Sequence, residues 1–252
     1  MRSSQQKLTD TEYSILMKTL LVMGATVALF AAHVTTADAQ LLHNQNIIFI
    51  AGGGNPDAGF TTMLDPVHNL LLGARAKNRV NGSTPNNGAG TFTFSAGSLV
   101  PIPDRFQFNW EFSANSDPLN LGQTLNAYDY WATISGPSFG PFTFNLGLSY
   151  ADNSFGTSAT PNGAGAEGPF AGFASTSTVM QNSQNFVFAG ADPDVNGVYG
   201  VSIFATVLGQ GPDSPHFAQA DILINVGTVP EPTSMSLAAI GGLSLLAFRR
   251  RK

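Results

Sequence analysis

Apolar residues recur at every second position in two stretches of the chain. Phe106, Phe108, Trp110 and Phe112 alternate with Gln107, Asn109 and Glu111, the period of a strand with one buried and one solvated face. On that pattern Glu111 belongs to the outer, solvated face. Phe142, Phe144, Leu146, Leu148 and Tyr150 repeat the period and predict a second strand of the same core. Shorter runs predict strands over residues 46–51, 91–95, 125–135, 184–189, 198–208 and 220–226. Turn-forming clusters separate them, among them Gly52-Gly53-Gly54-Asn55-Pro56, Asn115-Ser116-Asp117-Pro118 and Thr160-Pro161-Asn162-Gly163. About eight strands with no amphipathic helix between them predict an all-β fold, an antiparallel β-sandwich of Greek-key or jelly-roll kind.

The two ends follow other patterns and predict three segments: residues 1–39, 40–228 and 229–252. Lys18 precedes an apolar, helix-favouring run over residues 19–32, and Ala37 and Ala39 stand as in an A-x-A cleavage site before Gln40. A basic start, an apolar stretch and small residues at the cut predict a secretory signal helix. The mixed polar residues before Met17 fit that pattern badly, which makes Met17 a candidate start. At the other end, residues 235–248 form an apolar run of fourteen, followed by Arg249, Arg250, Arg251 and Lys252. That run is shorter than the about 20 residues that span a bilayer core. Including residues 229–234 and letting the basic cluster snorkel predicts a strained transmembrane helix whose basic end stays cytoplasmic.

Val229, Pro230, Glu231 and Pro232, the short Gly/Ala/Leu run and the terminal basic cluster occur in that order. Together they resemble the PEP-CTERM sorting signal of exported bacterial proteins. The resemblance implies an exosortase as partner, cleavage at or near Pro230-Glu231-Pro232, a transient membrane anchor, and delivery to the cell surface or beyond, in envelopes rich in exopolysaccharide. It assigns no activity to the domain so delivered. Residues 72–77, 108–113, 180–183 and 192–199 are also similar to segments of other proteins that carry this signal.

Composition narrows the chemistry. The chain has no Cys, which excludes disulfides, thiolate metal sites and a cysteine nucleophile. Residues 40–228 hold twelve Asp and Glu against four Lys and Arg, a difference of −8, which argues against nucleic acid as partner. Asp192, Asp194, Asn196 and Gly197 match the start of an EF-hand loop, but Ile203 stands where the loop needs its Glu. The better expectation is a turn, with Gly197-Val198-Tyr199 resembling the tyrosine corner of Greek-key sandwiches; a looser calcium site on Asp192 and Asp194 is the alternative. His43, His68 and His216 form no zinc spacing. His68 with Asp65, or His216 with Asp213, could orient a hydrolytic Ser, yet no nucleophile elbow marks one. Trp110, Tyr128, Tyr130 and Trp131 could stack on sugar rings, and alternation sends one of Tyr130 and Trp131 away from the core. The sequence therefore predicts a non-enzymatic envelope or matrix protein with no cofactor and no catalytic or metal-binding residues. A secreted carbohydrate-binding module is the alternative, ahead of a hydrolase.

Overall fold

A computed structural model describes residues 39–52, 57–97, 106–192 and 194–227. The described residues form twelve strands: β1 (Gln40–Gln45), β2 (Phe60–Asp65), β3 (Leu70–Asn78), β4 (Thr91–Phe94), β5 (Phe108–Asn115), β6 (Tyr128–Gly136), β7 (Phe139–Asn145), β8 (Asn153–Gly156), β9 (Ala166–Gly168), β10 (Val179–Gln184), β11 (Gly197–Val207) and β12 (Ala218–Val226). Seven make one sheet in the order β1-β2-β3-β5-β10-β8-β9, and five make the other in the order β4-β12-β11-β6-β7. All pairings are antiparallel except β4 with β12, which run parallel. The expected antiparallel sandwich thus carries one parallel pair.

The aromatic period around Trp110 forms the centre of the core as expected. Phe106, Phe108, Trp110 and Phe112 are all buried. Phe108 stacks on Phe94 of the facing sheet with ring centres 4.5 Å apart, and Phe106 meets Tyr199 edge-on at 5.3 Å. Each such large apolar side chain contributes about 1.5–3 kcal/mol by leaving water. β3 supplies Leu70, Leu72, Ala74 and Ala76 to the same core. Small residues at half of those positions hide its alternation from a sequence reading.

Glu111 does not face solvent. Its side chain is fully buried, as is that of Arg75 across the β3–β5 ladder. The reason is the chain over residues 47–51, which crosses the outer face of the seven-stranded sheet and buries Phe49 and Ile50 there. Those residues are no strand, contrary to expectation. Their backbone is satisfied instead by a side chain: the buried Gln181 accepts from Ile50 N at 2.6 Å and donates to Ile48 O at 3.0 Å. Gly73 permits the crossing, because a Cβ there would lie 2.9 Å from Ile47 Cδ1, closer than packed carbon atoms approach.

The second aromatic period breaks where the sequence predicts it to continue. β7 ends at Asn145, whose side chain accepts from Leu148 N and caps a single helical turn over Leu146–Ser149. Leu146 is buried, Phe144 is half-buried, and Phe142 and Leu148 are 55% and 78% exposed. Likewise residues 186–189 form a 3₁₀ turn rather than a strand, and the strand precedes them as β10. The predicted signal helix and transmembrane helix fall on residues outside those described. Among the described residues no helix is long and apolar enough to cross a membrane.

Candidate functional site

The sandwich does not close evenly. Where the edge strand β7 faces β5 and β10, a cleft of about 670 Å³ opens, within the range of small-molecule sites. Cross-strand partners point to the same side of a sheet, so Phe142 and Phe144, paired with Ile134 and Ala132 of β6, face inward. Their rings stack at 5.4 Å and form one wall. Trp110 lies at the back, with Tyr150 and Phe188 at the sides.

The opposite wall is polar because β10 carries polar residues at inward positions. Asn182 and Gln184 pair with Phe112 and Trp110 of β5 and share their face. Asn182 donates to Asp152 Oδ1 at 3.1 Å and to Asn153 Oδ1 at 3.0 Å. Asn185 donates to Phe108 O at 2.9 Å and to Asn109 Oδ1 at 3.1 Å, which also accepts from Arg79 at 3.2 Å. Gln184 is different. Only 6% exposed, it lines the cleft, and among the described residues its carboxamide has no hydrogen-bond partner. Burial, and then the charge of Asp152, hold the Tyr150 phenol above its usual pKa, so its hydroxyl remains a neutral donor at ordinary pH. Sequence reasoning missed these residues. The available signal was Gln181-Asn182-Ser183-Gln184, a run that is polar on both faces of a strand that begins with the apolar Val179 and Met180.

The candidates named from sequence are scattered over the fold. Trp110, Tyr128 and Tyr130 are buried in the core, whereas Trp131 lies on the outer face of the five-stranded sheet and donates to Thr206 Oγ1 at 3.0 Å. His68 Nδ1 lies 2.7 Å from Asp65 Oδ2 in the β2–β3 turn, its ring stacked on Phe217 at 4.0 Å. No hydroxyl group among the described residues bonds to that imidazole. His216 bonds to Gln219 and Pro212 O rather than to Asp213. Tyr199 makes the corner contact, its phenol donating to Val195 O at 3.0 Å, and Asp192 Oδ1 accepts from Asp194 N at 2.9 Å to form the turn. Among the described residues no group of three His, Asp or Glu is placed to hold a metal ion. Ala39 is exposed at the start of the described chain. Ala37, Val229, Pro230, Glu231, Pro232, Arg249, Arg250, Arg251 and Lys252 lie outside the described residues.

The C-terminal pattern is matched independently of the fold. Residues 228–252 match the PEP-CTERM protein-sorting motif. The PEP-CTERM match gives the chain a C-terminal signal of the kind that exosortases recognise, consistent with an exosortase substrate sorted to the cell surface. It spans the Pro230-Glu231-Pro232 element, the apolar run and the basic cluster together. No curated protein and no solved structure matches the chain.

Proposed function

We propose that the protein is a non-enzymatic component of the cell envelope or extracellular matrix. It is exported by its N-terminal signal, held briefly in the membrane by residues 235–248, and released by exosortase into an exopolysaccharide-rich, biofilm-forming surface layer. The observation that carries this reading is the PEP-CTERM match at residues 228–252. Pro230 and Pro232 support it chemically: proline fixes φ and removes a backbone donor, a chemistry that disfavours helix and suits the extended peptides that proteases bind. A binding role rather than a catalytic one is supported by the structural employment of the ionisable groups. Glu111 pairs with Arg75, and Asp65 holds the His68 turn.

Intact-mass analysis of protein from exosortase-positive cells tests the proposal. The mature chain should begin at Gln40 and end near Glu231, and Glu231→Ala should leave the full tail attached in the membrane fraction. Wild-type protein that still carries Arg249 to Lys252 would make the segment a plain anchor.

A further inference from the structure

The edge cleft has two walls of different chemistry, and both remain incompletely used by the protein. On β7, Phe142 faces inward by register yet is 55% exposed, so its ring presents apolar surface to the cleft. Across from it, Gln184 is nine-tenths buried with an unpartnered carboxamide. Its amide atoms are not among the buried polar atoms left without a partner, so they open onto the cleft, where a ligand can engage both the N–H and the C=O. The Tyr150 hydroxyl also lines the cleft and has no hydrogen-bond partner among the described residues.

From these walls we infer that the cleft binds a neutral sugar ring of a polysaccharide, stacked on Phe142 and hydrogen-bonded by Gln184. A pyranose matches the asymmetry: its axial C–H groups make one apolar face, and its vicinal hydroxyls each donate and accept around the rim. A carboxamide offers one acceptor and two donors in a plane, the complement of two adjacent hydroxyls. A purely apolar ligand would leave Gln184 unbonded. A polyanion is disfavoured by charge, since residues 40–228 carry an excess of eight acidic groups and, among the described residues, the cleft is lined by one acid, Asp152, and one base, Arg79. The inference rests on the reading of the protein as a non-enzymatic surface domain and names its ligand class. No bond is made or broken.

The test uses the full chain, purified in detergent, on a printed array of neutral and uronate-containing glycans, followed by titration calorimetry with the best neutral oligosaccharide. Saturable binding to at least one neutral glycan is expected, with uronate polymers weaker. Phe142→Ala and Gln184→Leu should each weaken it about tenfold or more. Both should stay folded, since Phe142 is largely exposed and Leu fills the Gln184 volume without an unpaired amide. Trp131→Phe, on the opposite face of the five-stranded sheet, should leave the affinity unchanged and serves as the control. Absence of binding to every neutral glycan, preference for uronates, or full affinity in both cleft variants would overturn the inference. None of these outcomes touches tail processing, which intact mass reads separately.

Discussion

Arg75 Nε donates to Glu111 Oε2 at 2.5 Å, and neither side chain reaches solvent. The guanidinium also donates to Ala58 O at 2.7 Å and lies over the Phe60 and Phe49 rings, 4.3 and 4.9 Å from their centres. Lys77 Nζ approaches the other Glu111 oxygen at 2.9 Å, as an ion pair without hydrogen-bond alignment. Burial lowers the Arg75 pKa while Glu111 opposes that shift. The pair is thus held by its geometry beneath residues 47–51.

Removing one partner strands a buried charge. Glu111→Ala should destabilise the domain by about 3–5 kcal/mol, measured by urea unfolding. Replacing all three charges, Arg75→Met and Lys77→Met with Glu111→Leu, should recover most of that loss, because well-packed apolar replacements of a whole buried ionic group are often neutral or better. A Glu111→Ala variant as stable as the parent would return this residue to the solvated face.

The two aromatic periods differ in energetic weight despite their similar sequence pattern. Phe108→Ala opens a cavity in the centre of the core and should cost about 3–5 kcal/mol. Phe142→Ala removes a ring that is mostly in water and should change stability by no more than about 0.5 kcal/mol. Denaturant midpoints of the two variants check the contrast.

Alkali should unfold the domain through its tyrosines. Burial, and then Asp192, push the Tyr199 phenol up to about 12, and burial raises Tyr130 further. The unfolded value is about 10. Because the folded value is the higher, this stabilisation is complete below pH about 10 and is lost as pH rises towards the folded value. Phenolate absorbance should therefore appear together with loss of the folded circular-dichroism signal. Tyr199→Phe should cost about 1 kcal/mol by losing the bond to Val195 O and should make the alkaline decline shallower.

Acid should act at Asp117. Burial raises its pKa, but hydrogen bonds from Asn69 at 2.7 Å and from Leu121 N and Gly122 N at 2.6 and 3.1 Å outweigh it and hold the carboxyl below its usual range. A depressed folded value contributes stability above the unfolded pKa of about 3.9 and loses it as pH falls through the folded value. Asp117→Asn should lower stability at neutral pH and flatten the fall below pH about 4, followed by chemical unfolding at a series of pH values.

Local patterns determined a good deal of this protein. The tail is linear: Pro230-Glu231-Pro232, the apolar run and the terminal basic residues are recognised by their order. The strand around Trp110 and the turn before Tyr199 are equally local, since period two and the Asp192 side chain act within a few residues. Which faces are covered is a different matter. Alternation at Glu111 says that one side of β5 differs from the other, but only a chain segment some sixty positions earlier, held by Gln181, decides that the polar side is also dry. The same holds for the cleft. Phe142 and Phe108 have the same sequence signature, and the facing residue separates them: Phe94 covers Phe108, whereas Phe142 looks across a gap towards the polar side of β10. Burial is a property of what lies opposite, and that is set only when the two sheets meet.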